Sequence, residues 1–217
     1  MLSKIYYWLH KQFSKKEERG EYSAGFWQDA VREHVLEICA QDKGRILEVG
    51  CGEGLFLNKI AKAKEDLEIV GLDIWLDILF KAKTRIKQDA VNLIQADAVG
   101  IPFKDGVFDR VVCINVFFNL PSEDMVKAAL GEVKRVMKKG SRIAFDIRNS
   151  RNPLLYFKYK FARFYDETVK DLPLRTYDLN TIFKYLEKNN FKVTRRINIG
   201  FPHNILSPIF IIEAQKL

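Results

Sequence analysis

The chain has 217 residues, of which 47% are apolar and 29% charged, and 36 Lys+Arg against 28 Asp+Glu give a formal net charge of +8. This is the size and balance of one globular domain that can build a core without staples, and it excludes disordered and disulfide-framed classes. The basic balance suits an anionic partner without demanding one. Cys39, Cys51 and Cys113 are scattered and lack CxxC spacing, so they read as free thiols and not as a zinc ribbon. No apolar run reaches the roughly 18 residues that span a bilayer. The apolar stretch ahead of His10 and Lys11 is too short for a signal sequence, so the expected location is cytoplasmic.

Residues 1–20 form a basic, aromatic leader in which Leu2, Ile5, Tyr6, Leu9 and Phe13 recur at helical spacing. A second helix is expected from Tyr22 to Cys39, with Phe26, Ala30, Val31, Val35 and Ile38 on one stripe, and with His34 packed on it or capping. Residues 1–43 thus read as a helical extension ahead of a main domain over 44–217.

The middle of the chain alternates strand and helix. Strand Arg45–Val49 runs into the turn Gly50–Gly54 and a helix holding Leu55, Ile60 and Ala61. A strand ending at Asp73 precedes a helix from Trp75 to Lys87, and Val91–Gln95 is a third strand. After a turn with Gly100, Pro102, Asp105 and Gly106, the fourth strand is Phe108–Asn115. Ser122 caps a helix running to Lys138, Gly140 stops it, and Arg142–Ile147 is the fifth strand. Such alternation predicts an α/β fold with a parallel, doubly wound sheet covered on both faces.

The last third departs from this rhythm. An aromatic and basic segment near 151–177 reads as a packed cap helix or as a lid over an acceptor. A helix over Leu179–Asn189 follows, then strands Lys192–Ile199 and Ile209–Ala214, whose short connection implies an antiparallel pair.

The functional signal is concentrated in Ile46–Gly54, a strand, a glycine-dense turn and a helix start. Glycines at 50, 52 and 54 let a ligand approach the backbone, at the edge where open parallel sheets bind their ligands. Asp73 closes the second strand, where a carboxylate can accept from both hydroxyls of a ribose. Asp97 follows the third strand, where it could meet an exocyclic amine.

The stretches ILEVGCGEG, IVGLDI, QADAVGIPFKDGVFDRVVCINVFFNL and EVKRVMKKGSRIAF resemble the class I S-adenosylmethionine-dependent methyltransferases, in particular the small-molecule branch with the ubiquinone and menaquinone methyltransferases. The resemblance covers residues 44–150 well and the remainder loosely. It implies a Rossmann-like, seven-stranded sheet in the order 3-2-1-4-5-7-6, with only strand 7 antiparallel. It also implies S-adenosylmethionine as cofactor. Carried over by position, Glu48 orders the glycine loop and reaches the methionine amino group. Gly50, Cys51, Gly52 and Gly54 line the cofactor through the backbone. Asp73 takes the ribose and Ile74 packs on the adenine. Asp97 accepts from the adenine amine and Ala98 donates a backbone N–H. Asn115 and Val116 meet the methionine end.

Many such enzymes carry a histidine just after strand 4. Here Phe117-Phe118-Asn119 stands instead, which points to an apolar pocket wall at Phe118 and leaves the general base unassigned. His34 reads as packed or capping, and His203 as peripheral, although its loop can approach the acceptor pocket. Tyr156 and Tyr159 in the lid segment, and Tyr22, Phe26 and Trp27 in the N-terminal helix, are candidates to enclose the methionine end and the acceptor. The expected activity is methyl transfer to a small, apolar or amphipathic acceptor, with weak association to an anionic membrane and no metal. RNA or protein methylation is the first alternative, although Asn115-Val116-Phe117-Phe118 lacks the prolines of the base-methylating tetrad. A non-catalytic cofactor-binding protein is the second. A nicotinamide-binding domain fits less well, because the third glycine comes one residue early and Asp97 has no use there.

Overall fold

The computed structural model describes residues 26–64, 66–86, 91–165 and 173–217. Tyr22 and the leader fall outside them. Helix α1 (Phe26–Ile38) and a 3₁₀ turn (Cys39–Gln41) precede β1 (Gly44–Val49), α2 (Leu55–Ala63), β2 (Leu67–Asp73), α3 (Leu76–Arg85) and β3 (Val91–Gln95). Then follow β4 (Phe108–Cys113), α4 (Glu123–Val136), β5 (Met137–Arg148), α5 (Pro153–Tyr165), α6 (Leu179–Lys188), β6 (Phe191–Ile199) and β7 (Ile209–Lys216).

The seven strands form one sheet in the order β3-β2-β1-β4-β5-β7-β6. All pairs are parallel except those of β7, which runs antiparallel to β5 and β6. The expected architecture is therefore present. Successive strand residues face opposite sides, and each side has its own apolar core. Leu47, Val111 and Phe145 face α4 and α6 through Val126, Leu130, Val133 and Leu186. Ile46, Ile69 and Val112 face α1, α2 and α3 through Val31, Val35, Leu57, Ile60 and Ala82. Arg110, 1% exposed, ties the chain after α1 to the sheet by ion pairs from Nε to Asp42 (2.6 Å) and from Nη1 to Glu213 (2.8 Å).

Several boundaries differ from expectation for identifiable reasons. Ser122 does cap α4, accepting from the Met125 amide at 3.1 Å, but the helix ends at Val136. Met137 turns to extended backbone and pairs with Phe108, and the next matched pair is Arg110 with Arg142. Gly140, at φ +79°, lies in the resulting bulge inside β5 and does not stop the helix. β4 stops at Cys113, because Asn115 adopts φ +59°. Trp75 caps α3 with extended backbone and the helix ends at Arg85. His34 is half-exposed and faces Glu37 (Nδ1 to Oε2, 3.0 Å), so it is not packed on the apolar stripe. Asp178 caps α6 by accepting from the amides of Asn180 and Thr181.

The chain returns at residues 175–177 to the place where β5 ends. The Tyr177 amide donates to the Arg148 carbonyl (2.7 Å), and the Arg175 amide donates to the Phe118 carbonyl (2.8 Å). The Tyr177 hydroxyl donates to the Phe117 carbonyl (2.7 Å). Residues 175–177 thereby cross the carboxyl ends of β4 and β5.

Candidate active site

The site is assembled at the carboxyl ends of β3, β2, β1 and β4, which are neighbours in that order. Val49 pairs with Leu72, and Asp73 with Gln95, so the glycine turn, Asp73 and Asp97 follow three adjacent strand ends. Strands about 4.8 Å apart put those ends within about 10 Å, the reach of one nucleoside.

The turn after β1 is held from within. The amides of Gly50 and Cys51 donate to the Leu72 carbonyl (2.7 and 2.9 Å), and the Gly52 amide donates to Asp73 Oδ2 (2.8 Å). These three donors are therefore engaged within the protein. What the turn offers is close approach. A Cβ at Gly52 (φ +52°) would meet no atom within 4 Å, whereas one at Gly50 (φ +70°) would lie 2.5 Å from Val116 Cγ2. Gly52 therefore opens outward, and Gly50 is the seat for Val116. Gly54 (φ +71°) caps α2.

Asp73 is 8% exposed and accepts from two amides, Gly52 at Oδ2 and Trp75 at Oδ1 (3.0 Å). A carboxylate has about four acceptor positions, so each oxygen keeps one for a ribose hydroxyl. Ile74, 51% exposed, stands at the rim beside it. Asp97 forms a turn in which its Oδ1 accepts from the Val99 amide (3.1 Å), leaving the other oxygen for a donor. Ala98 is half-buried in that turn.

Glu48 is 3% exposed, and its Oε2 is buried without a hydrogen-bond partner. Desolvation drives its pKa well above the usual carboxylate range, Asp73 adds to the rise, and only the Arg32 charge opposes it. An orphaned acceptor of this kind asks for a cation or a donor. Arg32 is itself buried and paired with Asp29. Cys51 packs where a Cβ on Gly71 would lie 3.0 Å from its Sγ, and burial raises its pKa, so it is a thiol filler and not a nucleophile.

Beyond β4 the structure reveals a cluster the sequence reading missed. Arg148, 3% exposed at the end of β5, donates from Nη1 to Asp146 Oδ2 (2.5 Å) and from Nη2 to Asn115 Oδ1 (2.6 Å). The Asn115 amide donates to Asp146 Oδ1 (2.6 Å). The guanidinium lies 4.5 Å from the Phe118 ring centre. Tyr159 of α5 is a hydrogen-bond partner of Arg148, and burial raises its pKa. The available signal was Asp146 and Arg148 two residues apart in the otherwise apolar run Ile143–Arg148, since charges in a strand covered on both faces need partners.

The structure thus joins Asn115, Val116, Phe118 and Tyr159 to the glycine turn. Tyr156 is 60% exposed on the outer side of α5, so it does not line this space. Trp27 lies under Lys158 (4.9 Å) and beside Gly200, tying α1 to α5 and to the β6–β7 loop. Phe26 opens α1.

Comparison with known proteins agrees with this geometry. A family model described as a methyltransferase domain matches residues 47–145. A demethylmenaquinone methyltransferase from Staphylococcus aureus is 30% identical over 164 residues, 72% of this chain and 66% of that protein. The O-methyltransferase rstn1 of Aspergillus nomiae is 30% identical over 142 residues, 58% of this chain and 61% of its own length. The chain thus spans somewhat under two thirds of these curated relatives. A crystal structure of an S-adenosylmethionine-dependent methyltransferase from Thermotoga maritima superposes with a TM-score of 0.70 at 17% identity, covering 99% of this chain and 95% of that one. Residues 47–145 thus match a methyltransferase domain, and the chain has the fold of the S-adenosylmethionine-dependent methyltransferase structures.

The residues present fit that cofactor. Glu48 Oε2 lacks a partner and suits an ammonium, Gly52 leaves open space, and Asp73 and Asp97 each keep acceptor capacity.

Proposed function

We propose that the protein transfers a methyl group from S-adenosylmethionine to a small, apolar or amphipathic acceptor. The observation that carries this reading is the adjacency of Glu48, Gly52, Asp73 and Asp97 on one sheet edge, with open acceptor positions facing one elongated cationic nucleoside. Bound there, S-adenosylmethionine supplies a methyl group already activated by its sulfonium charge.

The chain's own work is then positional. Asp73 orients the ribose, Asp97 the adenine edge, and Glu48 the ammonium. Val116, seated on Gly50, stands between the glycine turn and the Arg148 cluster that Phe118 and Tyr159 join, where the acceptor would be held. Holding an acceptor there in line behind the methyl group is a proximity effect. Tyr159 stays protonated at neutral pH and can donate a hydrogen bond, and Asp146 is engaged by Arg148. Neither is poised as a base, so the reading favours acceptors that lose their proton readily to water, such as acidic phenols or enols. The names of the two curated relatives, an O-methyltransferase and a demethylmenaquinone methyltransferase, support a small-molecule acceptor.

Incubation with methyl-labelled S-adenosylmethionine and a panel of catechols, phenols and hydroquinones tests it. The expected result is label in an organic-extractable product. Label entering only RNA or protein in parallel reactions would overturn the small-acceptor reading.

A further inference from the structure

Among the described residues, large apolar side chains reach solvent in a lopsided pattern. Thirteen are exposed, and all but Leu217 belong to the segments that follow the carboxyl ends of β2, β5 and β6. β6 runs parallel to β5, because both are antiparallel to β7, so these ends lie on the edge that carries the active site. One group is Ile74, Trp75, Leu76 and Phe80. The larger group lies on α5, with Leu154, Phe157, Phe161 and Phe164 at 49–78% exposure, and on the β6–β7 loop, with Phe201 at 80% and Ile205 at 52%. Contiguous exposed apolar surface on this scale marks an interaction face.

The loop is built to hold these residues out. Asn149 Nδ2 donates to the carbonyls of Ile205 (2.9 Å) and Ser207 (2.8 Å), and Asn152 Nδ2 donates to that of Leu206 (2.6 Å). The Ser207 hydroxyl donates to the Pro202 carbonyl (2.6 Å). The backbone that carries the apolar side chains is therefore pinned to the start of α5.

Charge decides what the face fits. Neither α5 (Pro153–Tyr165) nor residues 200–208 contain an Asp or Glu, while α5 carries Lys158, Lys160 and Arg163. A second copy docked on the same face would set cations against cations. An anionic bilayer supplies both the apolar interior and the negative surface. We infer that α5 and the β6–β7 loop form a docking face for anionic lipid bilayers, which brings the acceptor space beside Tyr159 to the membrane surface. The link to the acceptor rests on the methyl-transfer reading; the docking itself does not.

The test is co-sedimentation of the full chain with vesicles of phosphatidylcholine alone or mixed with phosphatidylglycerol, at low and high salt. The expected result is binding to the mixed vesicles that weakens with salt and falls at least about tenfold in Phe161→Ser with Phe201→Ser. Affinity for S-adenosylhomocysteine, measured on the same variant, stays unchanged and shows that the variant is folded. No sedimentation with mixed vesicles at low salt overturns the docking face. So does binding indifferent to the two substitutions, or a concentration-dependent dimer that they abolish. Loss of cofactor binding by the wild-type chain would instead overturn the methyl-transfer reading and leave the docking result standing.

Discussion

The Gly52 amide donates to Asp73 Oδ2 at 2.8 Å, so the glycine turn and the acid that ends β2 are one unit. The Trp75 amide holds the other oxygen, and the carboxylate is thereby aimed before any ligand arrives. Asp73→Asn breaks this arrangement, because an amide accepts at only one end and sets its NH₂ against one of the two backbone donors. Stability should fall by about 1–3 kcal/mol, measured by urea unfolding. Affinity for S-adenosylhomocysteine should fall at least about tenfold, the equivalent of one charged hydrogen bond.

Gly52→Ala separates ligand access from folding. The methyl group enters open space, so the fold loses only the roughly 1–2 kcal/mol of the left-handed backbone. The cofactor, in contrast, meets a Cβ at its closest approach, and calorimetry should record a larger loss in binding than in stability. Gly131→Ala on the open face of α4 is the contrast: stability rises by about 0.5–1 kcal/mol, and affinity does not change.

Glu48→Gln should show a pH signature. The folded carboxyl titrates well above its unfolded value, so its protonated form is favoured on folding. That contribution is full below the unfolded pKa, about 4.3, and is lost as pH rises through the folded value. The glutamine variant should therefore match wild type in acid and exceed it in thermal stability at neutral pH. Its cofactor affinity should drop about tenfold or more, because the ammonium loses its counter-charge.

Arg148→Met should destabilise by about 3–5 kcal/mol, since it strands Asp146 in the core and leaves Asn115 Oδ1 without its donor. Adding Asp146→Asn should recover part of that loss, so the double variant is more stable than the sum of the singles. Chemical denaturation of the four proteins reads the coupling. An additive cycle would argue against the pair.

All three cysteines are buried and their pKa values are raised by desolvation. Native protein should resist a thiol reagent that labels the urea-unfolded chain at once. Cys51→Ala should retain methyl transfer, and its inactivity would revive a covalent role.

The parallel sheet, the glycine turn and Asp73 were legible because each rests on local chemistry (strand–helix alternation, positive-φ glycine and an acid at a strand end), whereas the strand order came with the family resemblance. What escaped was joined over long separations. Arg148 and Asn115 are 33 positions apart, and Arg110 and Glu213 are 103 apart, so nothing local in the sequence links either pair. Gly140 has the sequence appearance of a helix stop, yet buried Met137 and Phe108 pair before it and convert it to a bulge. The partners of the turn amides escaped as well, because nothing local reveals the Leu72 carbonyl behind them.

The most direct test is isothermal titration of the full chain with S-adenosylhomocysteine, alongside Asp73→Asn. The account predicts saturable one-to-one binding that the substitution weakens at least about tenfold. A chain that is folded by circular dichroism yet takes up none of the nucleoside, or binds it equally well without the Asp73 carboxylate, would contradict it.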